Sequence, residues 1–479
     1  MTAKQTMWDW IAGHEDVLIG AHDRIWEWAE VGLQETRSSH LLTSILRENG
    51  FAVERGVADM PTAFVATWGS GEPVIGVIGE LDALPGVSQK ALPRREPLVE
   101  GAAGHGCGHN IYAATALGGV LGAKAAIVQG GIGGTIKYFG CPAEETLVGK
   151  VFMVRDGLFA GVDACLGHHP GAANGVYLGS GNAMNSVKFE FFGVASHAAG
   201  SPEAGISALD AVELMNVGAN YMREHIVQEA RLHYVIEDGG HEPNVVPPYA
   251  RVWYYVRAPE RGLVEQYYEW LLRLADGADL MAKTTHKVTF LTGVHNGMQN
   301  CVLADLVTAN MREIGAPVYT EEELAFAREV GASVPREQKI ARLRTGPLPD
   351  WEQLADVDLN RRIYDPYAAE RKGGGSTDVA DVAWNLPTVE FGTTAFVTGV
   401  PGHSWQHAAC AGMSIGRKST LFASRVMAGA VLDLLTRPEL TAKAWEEWRC
   451  KMKGRQYKSP LQMDLKPPLD QLPSQRPWR

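Results

Sequence analysis

Val187, Phe189 and Phe191 alternate with Lys188 and Glu190, and this change of hydrophobic period constrains the fold more than any other feature. Upstream of it, residues 64–68, 74–78, 135–139 and 164–167 form short, mostly apolar runs. Such runs read as strands buried on both faces, as in a parallel sheet. Alternation reads as a strand with one wet face. One chain therefore encodes two different kinds of sheet.

The spacing of apolar residues predicts two helices over 8–50, with Gly50 as a stop. An alanine-rich helix follows the heptad GHGCGHN, and another is expected near 147–160. Strands and helices alternate, so this part is α/β. After 186 the pattern gives a strand, a helix over 205–225, strands at 232–236 and 251–257, a helix over 262–283 and a strand at 287–291. That is β-α-β-β-α-β, the split ferredoxin-like order. Residues 318–372 are polar and partly irregular and read as an insertion, and a long helix is expected over 415–436. The expected division is a larger domain in two parts (1–185 and 296–440), a small inserted domain (186–295) and a C-terminal tail (441–479). The tail's Pro-rich, basic end, 452–479, is expected to be poorly ordered or draped over the surface.

At 479 residues the chain exceeds one compact core. Its net charge, 44 − 55 = −11, argues against nucleic acid or a membrane surface as partner. No run of 18 consecutive apolar residues predicts a membrane span, and the first residues carry no secretory pattern. The six cysteines are scattered, which is no disulfide framework and fits the cytoplasm.

Polar residues with metal chemistry follow the buried runs. Glu80 and Asp82 come after 74–78, two apart, so an extended chain points both the same way. Cys107 and His109 sit in the glycine heptad, Glu144-Glu145 follow 135–139, His168-His169 follow 164–167, and His403 lies in VPGHSWQ. Ligands of open α/β sheets bind beyond the carboxyl ends of the strands, so these segments share one rim. Cys107, His109, Glu145, one of His168 and His169, and His403 make five donors of mixed N, O and S type. They exceed one tetrahedral ion and suit two divalent ions, Zn²⁺ or Mn²⁺, with a shared bridging group. Paired ions polarise a carbonyl and activate water, and a carboxylate beside them serves as base. Adjacent residues diverge, so one of Glu144 and Glu145 ligates and the other is the base. The competing reading is a glycine turn around a small buried Cys, with the carboxylates capping helices.

GELDALPGVSQ, GHGCGHN, CPAEE, GVASHAAGSPEAGISALDA, EPNVVP, YYVRAPE and GGSTDVADV together resemble the dinuclear metallopeptidase and amidohydrolase family. That family includes carboxypeptidase G, aminoacylase, auxin-conjugate hydrolases and p-aminobenzoyl-glutamate hydrolase, and the nearest likeness is to the B-type chain of the last. The resemblance implies Cys107 as the bridging ligand and His109, Glu145, His169 and His403 as further ligands, with His168 as second choice to His169. It implies Glu144 as general base and Asp82 as the residue orienting a ligand imidazole. His197 would reach a neighbouring subunit's site and steady the oxyanion. Asn244 and Arg257 would bind substrate, Arg257 through a carboxylate, and the Gly375-Ser376-Thr377-Asp378 loop would face it. The resemblance implies a catalytic domain (1–185 and 296–440) with a mixed central sheet flanked by helices, 186–295 as its inserted dimerisation or lid domain, and hydrolysis of an N-acyl or N-aroyl amino acid by a homodimer. Another C–N bond, in a dipeptide or aryl amine, and a non-enzymatic binding role are the alternatives. Relatives often carry His at Glu80, whose role the resemblance does not supply. Nor does it supply the exact substrate, the native metal, or whether a second, different subunit is needed.

Overall fold

The computed structural model describes residues 2–472. Its strands are β1 (Ala52–Arg55), β2 (Phe64–Ser70), β3 (Val74–Glu80), β4 (Gly134–Cys141), β5 (Ala164–Gly171), β6 (Ala183–Phe192), β7 (Arg231–Asp238), β8 (Tyr249–Ala258), β9 (Thr285–Val294) and β10 (Thr388–Thr394). The helices before the second sheet are α1 (Ala3–Gly13), α2 (Glu15–Trp28), α3 (Thr36–Glu48), α4 (His109–Gly130) and α5 (Gly149–Arg155). Then come α6 (Ala208–Met222), α7 (Arg261–Ala282), α8 (Cys301–Ile314), α9 (Glu321–Ala332), α10 (Arg336–Thr345), α11 (Val379–Ala383), α12 (Trp405–Gly412), α13 (Ser414–Thr436) and α14 (Pro438–Met452).

The first sheet has the order β1-β2-β4-β3-β5-β10. β4, β3, β5 and β10 are parallel, as expected. β2 runs antiparallel to both β1 and β4, so the sheet is mixed, as the resemblance implies, although the apolar run 64–68 alone reads as a parallel-sheet strand. Cover on both faces makes a strand read as apolar whatever its direction, so the run could not reveal this. β5 also extends beyond 167. It pairs with β10 through Gly171, so His168 and His169 lie inside the strand. The N-terminal segment forms three helices where spacing suggests two, since the apolar period runs on past the non-helical His14 between α1 and α2.

The second sheet, β7-β8-β6-β9, is antiparallel throughout, with α6 and α7 packed on it to form a separate core. This is the expected ferredoxin-like unit, and β7 is an open edge. Helix α14 crosses residue 441, the expected start of the tail, and packs on α8 and α13.

α4 is the axis of the larger core. Almost every residue from its start to Ala123 is buried, because small side chains let α13 approach. A Cβ on Gly119 would collide with Met427 of α13. α4 and α13 are long and apolar enough to cross a membrane by length and composition, although the sequence shows no uninterrupted apolar run. Both are mostly buried inside the protein, as core helices are. Burying α4 fixes where its first residue, His109, stands.

Candidate metal centre

The heptad turns into α4 through Gly108, which has φ +84. A Cβ there would lie 2.8 Å from Pro170 Cγ and 2.9 Å from the Phe396 ring, so only glycine fits. This close approach brings Cys107 and His109 against the end of β5. Cys107 Sγ is 3.2 Å from His169 Nε2. Because side chains alternate along a strand, His168 faces the other way. Its Nε2 lies 2.7 Å from Thr393 Oγ1, and its ring packs on Phe391.

His109 is fully buried. Its Nδ1 lies 3.1 Å from Asp82 Oδ1 and 3.0 Å from the Asp82 carbonyl, so Nδ1–H donates and Nε2 is the nitrogen turned toward the cluster. The other Asp82 oxygen accepts from Glu145 N–H at 2.9 Å. One carboxylate therefore orients a histidine ring and the loop after β4. His109 Nε2 faces Glu80 Oε2 at 3.2 Å, Glu144 Oε2 at 3.8 Å and Glu145 Oε1 at 4.0 Å. His403 Nε2 closes the ring at 3.6 Å from Glu145 Oε2. Ala143, just before the two glutamates, and His403 both adopt the left-handed backbone region. Such conformations cost about 1–3 kcal/mol each and persist where the surroundings impose them.

The donors fall into three overlapping groups: Cys107, His109 and His169; Cys107, Glu145 and His403; and Glu80, His109 and Glu144. Within each, the candidate ligand atoms lie within 4.8 Å of one another. His109 Nε2 and Glu145 Oε1 are buried without hydrogen-bond partners, a state that cations would relieve. The residues fit divalent metal. Charges already respond to the crowding. Burial pushes the Cys107 thiol up, but His169 and His109 outweigh it and hold it well below the usual range. Burial and then the charge of Glu80 push Glu144 up to about 8. Positive charge brought beside it would pull it back toward the ionised form.

Sequence reading missed Lys150. It is fully buried in α5, with Nζ 2.9 Å from Glu80 Oε1 and 2.6 Å from Asp378 Oδ1. Its signal was a lone charge inside the buried run GKVFMV. Of the expected loop residues, Asp378 serves this ion pair, Thr377 Oγ1 accepts from Val379 N–H, and Ser376 Oγ is buried without a partner. Arg257 is half-buried, with Nε unpartnered and its charge felt at Glu144. It lines a cleft of about 410 Å³ with Arg231, His233 and Lys372.

His197 and Asn244 lie elsewhere. Both are exposed on neighbouring loops of the second unit, joined by an Ala198 N–H bond to the Asn244 carbonyl. Among the described residues no hydrogen bond or ion pair links either to the cluster. His197 Nδ1 accepts from Ala199 and Gly200 N–H, which leaves the proton on Nε2, pointing away as a donor.

Residues 182–276 match the peptidase dimerisation domain family. The chain is 37% identical over 454 residues to the B chain of p-aminobenzoyl-glutamate hydrolase from Escherichia coli (strain K12), covering 93% of this chain and 94% of that one. It is 27% identical over 458 residues to the Xaa-Arg dipeptidase of Mus musculus, covering 91% and 90%. A dinuclear metal-binding peptidase of the M20 family from Bacillus subtilis shares the fold, with TM-score 0.53 and 17% identity over 89% of this chain and 99% of that one.

Proposed function

The chain belongs to the dinuclear metallopeptidase and amidohydrolase family, enzymes that are hydrolases, and on that footing we propose that it cleaves the amide bond of an N-acyl or N-aroyl amino acid. The observation that carries this reading is the convergence of Cys107, His109, Glu145, His169 and His403 in groups that share Cys107. These five would hold two divalent ions, Mn²⁺ or Zn²⁺. When bound, the ions supply Lewis acidity, polarising the scissile carbonyl and acidifying water.

The protein's own groups do the rest. Glu144 takes the proton of the attacking water and returns it to the nitrogen as the C–N bond breaks, leaving a carboxylic acid and an amine. Asp82 keeps the His109 ring in place and its Nδ1 protonated. His197 of the partner subunit donates from Nε2 to the developing oxyanion. Asn244 contacts the same substrate, and Ser376 and Thr377 border it. Arg257 takes the substrate carboxylate.

Two observations support a homodimer. A dimerisation domain is present. The open edge β7 also exposes Tyr234, Val235 and Ile236, a surface that calls for cover. The chain also shares 32% identity over 199 residues with the A chain of the Escherichia coli hydrolase, which makes a second, different subunit a partner to test. All six cysteines are free, which supports a reducing cytoplasm as the compartment.

The Mus musculus relative is a dipeptidase for Xaa-Arg. Arg257, Arg231 and Lys372 outnumber Glu229 along the cleft, which would disfavour an arginine side chain and favour an acidic leaving half such as glutamate. The test is metal content of the purified protein by plasma mass spectrometry, with p-aminobenzoyl-glutamate turnover assayed before and after adding Mn²⁺ or Zn²⁺. Near two ions per chain with turnover is expected. No ions after metal addition would overturn the reading.

A further inference from the structure

We infer that the segment 318–372 builds an aromatic pocket beside His169 that receives the acyl half of the substrate as a flat aryl group. This rests on the amide-hydrolase reading above. A cavity of about 350 Å³ lies between the end of β5, β10 and this segment. Its walls include His169, Tyr177, Pro347, Leu348 and Tyr367, the last three from the segment. His169 is the ring that stands 3.2 Å from Cys107 Sγ, so the cavity adjoins the metal centre through that ring.

The wall is anchored. Residues 363–367 run parallel to 174–178 through isolated bridges, with Tyr364 N–H bonded to Asn174 O, Tyr367 N–H to Val176 O and Leu178 N–H to Tyr367 O. A Cβ on Gly175 would press on both Tyr364 and Tyr367, so a glycine there lets the segment seat closely. Tyr177 and Tyr367 stand 6.1 Å apart, ring to ring, at an angle of 53°. A planar group beside them gains edge and face contacts beyond simple burial.

Charge sets the orientation. Glu390 is the carboxylate on this wall, and one of its oxygens already accepts from Tyr112 O–H at 2.9 Å. A substrate carboxylate would be repelled here, whereas an uncharged aryl group is accepted and an amino substituent could donate to the free oxygen. The cationic cleft around Arg257 suits the opposite end. The amide between the two halves then lies across the metal centre.

The test uses N-(4-aminobenzoyl)-glutamate and N-acetyl-glutamate as substrates of the metal-loaded enzyme, with 4-aminobenzoate binding measured separately by titration calorimetry. The variants are Leu348→Glu, on the half-buried loop, and Tyr367→Ala. The kcat/KM ratio of aroyl over acetyl substrate should fall about tenfold or more in each. 4-Aminobenzoate should bind wild type and weaken at least tenfold in Leu348→Glu. An unchanged ratio, or 4-aminobenzoate that binds wild type and variants alike, overturns the pocket. If wild type turns over neither substrate yet 4-aminobenzoate binds and is lost in the variants, the pocket stands and the amide-hydrolase reading fails.

Discussion

The Lys150 ammonium lies 2.9 Å from Glu80 Oε1, with both side chains fully buried. Burial alone would lower the lysine, but Asp378 and Glu80 outweigh it and hold it charged. Glu80 meanwhile faces His109 Nε2, so this cation balances a carboxylate that touches the metal centre. Removing one partner of a buried ion pair strands the other and costs about 3–5 kcal/mol. Lys150→Met should therefore lower the unfolding free energy of the metal-free protein, measured in urea, by that much. Adding Glu80→Gln to it should restore part of the loss. A single variant as stable as wild type would show that the pair carries no such weight.

Asp82 holds two parts of the centre, the His109 ring and the Glu145 backbone, without needing to touch an ion. Loss of such an outer partner commonly costs 10–100-fold in metal affinity. Asp82→Ala should show about that loss in chelator competition, with every proposed ligand still in place. Wild-type affinity would mean that packing alone fixes His109.

Glu144 and Glu145 are neighbours with different surroundings. Glu145 lies among Cys107 and His403, whereas Glu144 groups with Glu80 and His109. Glu144→Gln should retain both ions and the fold and lower kcat by about 10²–10⁴-fold, the range for a lost general base. An equal loss of metal would make Glu144 a ligand instead.

The rim of the site was legible because it depends only on strand ends, and buried runs mark those plainly. Which histidine joins it was not, since that needs the extent of β5. Once β5 runs through Gly171, alternation turns His169 to Cys107 and His168 to Thr393. The direction of β2 was hidden because burial on both faces erases the difference between parallel and antiparallel neighbours. Lys150 escaped because a single lysine in a sequence reads as a surface group, and its two carboxylate partners come from distant segments, β3 and the loop before α11. Residues 318–372 were visible as an insertion, yet their contact with the β5 end emerges only in three dimensions.

His22 supplies a pH dependence from outside the ring of candidate ligands. Its Nε2 lies 2.8 Å from the Ala411 carbonyl and its Nδ1 2.9 Å from Thr420 Oγ1. Burial, the leading cause, lowers it from 6.5 to about 4. Between those values the unfolded chain binds the proton and the folded chain does not, so stability falls as pH drops through the window. This group contributes a slope of up to about 1.4 kcal/mol per pH unit there. Wild type should therefore lose stability from pH 6.5 to 4 more steeply than His22→Gln in urea titrations. Parallel curves would remove His22 as the cause.

His197 stands on an exposed loop with its Nε2 donor directed away from its own backbone partners, while Glu144 is buried in the cluster. If the two serve one active site from different copies, neither variant needs the other's defect. His197→Ala and Glu144→Gln should each be nearly inactive alone. Mixed under conditions that exchange subunits, a chain with intact Glu144 meets a partner with intact His197. About half of a random population pairs this way, each pair with one complete site of two, so activity should recover to roughly a quarter of wild type. Metal content should stay constant throughout, which separates restored chemistry from restored metal. Recovery requires donation across the dimer. Two inactive variants that stay inactive after proven exchange would place His197 in its own chain's site or outside catalysis altogether.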